Sequence, residues 1–78
     1  MITVLVVDDH ELVRTGICRM LEDHPDGEVI GQAESGEEAI ALVRLKHPQV
    51  VLLDVNMPGI GGVETTRRLF QKIGRAHV

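Results

Sequence analysis

Ile2-Thr3-Val4-Leu5-Val6-Val7-Asp8-Asp9 decides the fold. Its first six residues are an almost unbroken apolar run, rich in β-branched side chains. The lack of polar alternation predicts a strand buried on both faces, as in a parallel sheet. The run then ends abruptly in two carboxylates. Val50-Val51-Leu52-Leu53-Asp54 repeats the pattern, with four apolar residues closed by an acid.

The rest of the chain alternates around these two strands. Leu12, Val13, Ile17, Met20 and Leu21 recur at helical spacing and predict an amphipathic helix over about 10–23. His24-Pro25-Asp26-Gly27 stops it. Glu28–Ala33, with Val29-Ile30 at its centre, is a weaker strand. Ser35 and Glu38 have the spacing of a capping box, which opens a second helix. Ala39, Ile40, Leu42 and Val43 supply its apolar face, and Pro48 lies just beyond it. After the loop from Asn56 to Gly62, residues Val63, Thr66, Leu69 and Phe70 begin a third helical face. The order β-α-β-α-β-α predicts an α/β domain with parallel strands and right-handed crossovers. No repeat, low-complexity tract or linker interrupts it.

Composition narrows the function. A chain of 78 residues is at most one small domain, and 44 % hydrophobic with 26 % charged residues is too apolar for disorder. Phe70 is the only aromatic residue, so the core is aliphatic. Residues 1–64 carry all twelve acids against four basic side chains, a net of −8, and residues 65–78 carry +4. The acidic body argues against direct nucleic-acid binding, and the basic end reads as a solvated helix terminus. Cys18 is the single cysteine, so no intrachain disulfide forms; it reads as a partly buried bystander. The N-terminus has no signal-peptide pattern, and the chain is expected in the cytoplasm.

Ligands in open α/β sheets bind beyond the carboxyl ends of the strands. If the first and third strands are neighbours, Asp8, Asp9 and Asp54 converge there. Three such carboxylates repel and raise one another's pKa, and a hard divalent cation, Mg2+, relieves the repulsion. A positioned carboxylate can accept a phosphoryl group once the developing charge is neutralised. Other motifs fail at specific positions. His10-Glu11 begins a zinc-protease signature, but Arg14 stands where its second His belongs. Glu64 replaces the third glycine of a dinucleotide fingerprint, and no P-loop is present. A haloacid-dehalogenase phosphatase requires Asp where Asn56 stands. His24, His47 and His77 read as surface residues.

Val4-Leu5-Val6-Val7-Asp8-Asp9-His10, Val51-Leu52-Leu53-Asp54 and Met57-Pro58-Gly59 together resemble the N-terminal signatures of receiver domains of two-component response regulators. The resemblance covers residues 2–71. Asp8 through Arg14, with Met57–Gly62, resembles regulators with a LuxR-type helix-turn-helix output, of the GacA/UvrY kind. It implies a flavodoxin-like doubly wound parallel sheet, here with strand order 2-1-3 and strands four and five missing. It also implies Asp54 as phosphoacceptor, Asp9 and Asp54 as direct Mg2+ ligands, and Asp8 as a ligand through water. The Asn56 carbonyl completes the set, and the Asn56 side chain tunes hydrolysis of phospho-Asp54. Pro58 and Gly59 shape the loop. The implied partners are a sensor histidine kinase, a second receiver in a dimer, and DNA through a C-terminal domain missing here. The domain would be a self-phosphorylating acceptor and not a conventional enzyme.

The family's phosphate-binding Thr/Ser and Lys come from the fourth and fifth strands. Neither Lys46 nor Lys72 matches that Lys. On this reading residues 1–72 are a partial receiver, unable to switch, with Val50–Leu53 left as an apolar edge prone to pairing. Ile73-Gly74-Arg75-Ala76-His77-Val78 is read as non-native, because ATC GGA AGA GCA CAC GTC encodes it and is the core of a common sequencing adapter. Two alternatives stay open. One is a natural truncated receiver that binds the kinase as a decoy through the helix at 10–23. The other is a small phosphohydrolase with Asp54 as nucleophile.

Overall fold

The computed structural model describes residues 1–57 and 59–73, with side chains through Leu69. Expectations for Pro58, for the Phe70 side chain, and for 74–78 including His77 lie outside these residues. Six elements follow in order: β1 (Ile2–Val7), α1 (Glu11–Glu22), β2 (Gly27–Ala33), α2 (Gly36–Lys46), β3 (Val50–Leu53) and α3 (Gly61–Ile73). The three strands form one sheet in the order β2-β1-β3, and both pairings are parallel. This is the expected β-α-β-α-β-α arrangement with strand order 2-1-3.

Alternation along the central strand splits the core in two. Leu5 and Val7 point to one face and pack with Ala33, Ala39 and Met57. Val4 and Val6 point to the other and pack with Cys18, Ile17 and Leu21. Burial on both faces is why Val4–Val7 carries no polar residue. β2 is less regular: Val4 pairs with Val29 and Leu5 with Gly31, so Ile30 is an extra residue in a bulge.

The helices depart from the expected faces. On α1, Ile17, Cys18 and Leu21 meet the sheet, whereas Leu12 is 86 % and Met20 75 % exposed. Val13 is exposed too. The arc that contacts the sheet passes through positions 14, 17, 18 and 21, so Cys18 is fully buried and not partly so. On α3, Val63 faces solvent at 76 % exposure, and Thr65 takes the buried place. Its hydroxyl donates to the Gly61 carbonyl at 2.6 Å, which makes burial of a polar side chain tolerable. The capping box is half formed: Ser35 Oγ accepts the Glu38 N–H at 3.1 Å, with no return bond among the described residues. α2 ends at His47 in the left-handed conformation (φ 49°), and its N–H closes the helix onto the Val43 carbonyl.

Glu64, in the first turn of α3, is gripped by both following arginines. Arg67 donates to its two oxygens at 3.0 and 2.6 Å, and Arg68 donates at 2.9 Å. The hydrogen bonds from Arg67 and then Arg68 lower its pKa from 4.5 to about 2. A depressed carboxylate stabilises the fold fully above 4.5, and that contribution fades as pH falls from there through about 2. Carbon-detected NMR of the Glu64 carboxyl should therefore show a midpoint near 2, returning toward 4.5 in the Arg67→Ala, Arg68→Ala double variant. High salt should weaken the shift, because the group is exposed. An unshifted midpoint at low salt would show that the grip does not persist in solution.

Among the described residues β3 pairs with β1 alone. Val50 and Leu52 are each 39 % exposed, so its outer side presents apolar side chains and free backbone groups. Such an edge recruits further strands. The weight-average mass of this chain in sedimentation should rise with concentration. A concentration-independent monomer with one unfolding transition would contradict this.

Candidate functional site

The carboxyl ends of β1 and β3 lie side by side because Val7 pairs with Leu53. The Asp54 N–H donates to the Val7 carbonyl at 3.0 Å, which extends the pairing one residue beyond β3. The Asp8 N–H likewise donates to Ala33 at 3.0 Å, on the opposite neighbour. Asp8, Asp9 and Asp54, the three acids expected to converge, are thereby brought together. Each offers one oxygen, and His10 one ring nitrogen, with all four atoms within 4.8 Å of one another. Asp8 is buried, Asp9 and Asp54 are half-buried, and His10 is exposed.

Local turns hold this cluster. Asp8 Oδ1 accepts the His10 N–H at 2.8 Å, and Asp54 Oδ1 accepts the Asn56 N–H at 3.0 Å. Both are Asx turns, in which a short carboxylate replaces a backbone partner and reverses the chain. The β3–α3 loop then closes tightly, with the Gly62 N–H on the Val55 carbonyl at 3.2 Å. Gly59 stands at φ 80°, the left-handed backbone expected to require glycine there.

His10 was not anticipated as a member of the cluster. Its Nδ1 lies 3.1 Å from Asp8 Oδ1 and 3.0 Å from Asp9 Oδ1. The hydrogen bond to Asp8 comes first, and the charge of Asp9 second, in holding its pKa above the ordinary 6.5. The signal available in the sequence was its place directly after two acids. Asp9 Oδ1 is buried and accepts no hydrogen bond among the described residues; the approach of His10 to it is an ion pair only when the imidazole is protonated. A buried carboxylate oxygen without a donor is costly, and a cation relieves that cost. The oxygen-rich donor set therefore fits a hard divalent ion.

Fold and site together define a doubly wound α/β domain with an acidic pocket at the ends of two adjacent strands. Residues 4–78 match the response regulator receiver domain family, and the chain belongs to that family. It is 63 % identical over 71 residues to response regulator GacA of Pseudomonas protegens, covering 91 % of this chain and 33 % of GacA. It is 55 % identical over 69 residues to response regulator UvrY of Escherichia coli, covering 88 % of this chain and 32 % of UvrY. The chain thus spans about a third of the length of these curated relatives. Among solved structures, a LuxR-family two-component response regulator from Aurantimonas sp. SI85-9A1 superposes with a TM-score of 0.88 at 39 % identity. That match covers 92 % of this chain and 51 % of the other. The response regulator domain of Thermotoga maritima CheB gives 0.91 at 32 % identity, covering 96 % and 56 %.

Proposed function

We propose that Asp54 accepts a phosphoryl group from a sensor histidine kinase, within a cytoplasmic regulator that acts on transcription. The observation that carries this reading is the cluster of Asp8, Asp9 and Asp54 at adjacent strand ends, with Asp9 Oδ1 buried and lacking a hydrogen-bond donor. Asp9 and Asp54 would hold Mg2+ directly, Asp8 through water, and Asn56 through its backbone carbonyl. The ion supplies positive charge opposite the phosphoryl oxygens. Asp54 provides the nucleophilic oxygen: its O–P bond forms as the P–N bond of the donor phosphohistidine breaks. The Asn56 N–H, already on Asp54 Oδ1, fixes the carboxylate for that attack. The exposed Asn56 side chain would tune the hydrolysis of phospho-Asp54.

DNA recognition belongs, on this reading, to a C-terminal helix-turn-helix outside the chain, as the likeness to a LuxR-family regulator suggests. Residues 1–72 are the receiver portion, and 73–78 are proposed to be translated adapter. Amplification of the source locus across the codons for Leu69 to Val78 decides this last point.

Two measurements test the central reading. Titration with Mg2+, followed by amide NMR, should move the Asp8, Asp9 and Asn56 signals first. Incubation with acetyl phosphate and Mg2+ should then add one phosphoryl mass, lost in Asp54→Asn. An unchanged spectrum overturns the metal assignment, and equal labelling of the Asn variant overturns the acceptor assignment.

A further inference from the structure

α1 begins without the usual support. His10 is its N-cap residue, yet no side chain caps the helix start. The loop carrying Asp8 and Asp9 therefore depends on other contacts, and the Arg14 side chain supplies one of them while bonding to β2 as well. Its Nη1 donates to the Asp8 backbone carbonyl at 2.8 Å, and its Nε donates to Gln32 Oε1 at 3.1 Å. The Arg14 backbone N–H meanwhile donates to the His10 carbonyl at 2.9 Å, closing the first helical turn. One half-buried side chain thus joins the end of β1, the start of α1 and the neighbouring strand β2.

We propose that Arg14 is a positioning residue for the acidic site, acting through the Asp8 carbonyl with Gln32 as its anchor. The role rests on the reading of the cluster as a cation site. Three features carry it. The guanidinium holds the peptide between Asp8 and Asp9, so a shift of that carbonyl moves both carboxylates. The planar fork of arginine satisfies two acceptors at once, one just beyond β1 and one on β2, which a lysine ammonium does less well. Lastly, the hydrogen bond carries a full positive charge and is therefore stronger than a neutral one. Asp8 uses its own carboxylate on His10 and leaves its carbonyl to Arg14, so the loop is held from both sides.

The test compares the complete chain with Arg14→Ala, Arg14→Lys and Gln32→Ala. The readouts are Mg2+ affinity by amide NMR, amide hydrogen exchange at His10 without the ion, and the urea midpoint. Removing a group that orients a ligand typically weakens metal binding by about 10–100-fold. Arg14→Ala is expected to fall in that range and to speed exchange at His10, with Arg14→Lys recovering only part of the loss. Gln32→Ala, at an exposed position that leaves the core untouched, is expected to weaken Mg2+ by a smaller factor in the same direction. Should Arg14→Ala fail to fold, the Lys and Gln32 variants decide. A lower urea midpoint with Mg2+ affinity and His10 exchange unchanged makes Arg14 merely structural and overturns the proposal. A wild-type chain that ignores Mg2+ overturns the cation-site reading itself, a result distinguishable from any variant effect.

Discussion

Gly62→Ala is expected to leave the chain largely unfolded. A Cβ on Gly62 would overlap the Val55 backbone and lie 2.6 Å from the Asp54 carbonyl oxygen. These obstacles are main-chain atoms of the candidate phosphoacceptor and the residue after it, so no rotamer change relieves them. Overpacking usually costs about 1–3 kcal/mol even where side chains can move aside, and here the whole β3–α3 junction must shift. A small domain has only a narrow margin of stability to absorb that. Far-UV circular dichroism at 25 °C should show the loss directly. Gly16→Ala is the control: its Cβ meets nothing within 4 Å, and alanine favours the helix. Gly16→Ala should therefore retain or gain stability. A folded Gly62→Ala chain with an unchanged denaturation midpoint would mean that α3 does not pack against Val55 as described.

Asp9→Asn should separate stability from ion binding. In the chain without Mg2+ the substitution removes the negative charge of one of three crowded carboxylates, the one with a buried oxygen that has no hydrogen-bond donor. The denaturation midpoint should rise, and stabilising changes at strained functional positions are commonly worth about 0.5–2 kcal/mol. Mg2+ should stabilise the wild type by an amount that grows with the logarithm of its concentration above the dissociation constant, about 2.7 kcal/mol at a hundredfold excess. The variant should show almost none of this gain. Urea titrations with and without Mg2+ measure both quantities. A variant still stabilised by Mg2+ as strongly as the wild type would remove Asp9 from the ion's ligands.

The strands were readable in the residues for a simple reason. Val4–Val7 is covered on both sides, so burial leaves an unbroken apolar run. Val50–Leu53 shows the same run and the same strand, yet Val50 and Leu52 stay exposed, so the pattern marks the strand without fixing its burial. Helical faces were less legible, because spacing identifies an apolar stripe without saying which part of it meets the sheet. Leu12, Val13, Met20 and Val63 fit the spacing and still face outward among the described residues. Thr65 was missed because its burial depends on a hydroxyl bond back to Gly61, which hydropathy does not register. In the site, Asp8, Asp9 and Asp54 stood out because each follows an apolar strand. His10 and Arg14 join through a turn and a backbone carbonyl, and neither leaves a periodic trace.

The pairing of Val7 with Leu53 has a consequence for how the chain could be assayed. Strand residues advance by about 3.3 Å and alternate in direction, so a one-residue slip would carry Asp54 away and turn its side chain over. The acidic cluster exists only when β1 and β3 meet in the observed alignment. A cation that requires all three acids would thus count correctly aligned molecules and pass over misaligned ones. Ion occupancy then becomes a proofreading signal for the sheet, able to tell native molecules from compact impostors with the same strand content.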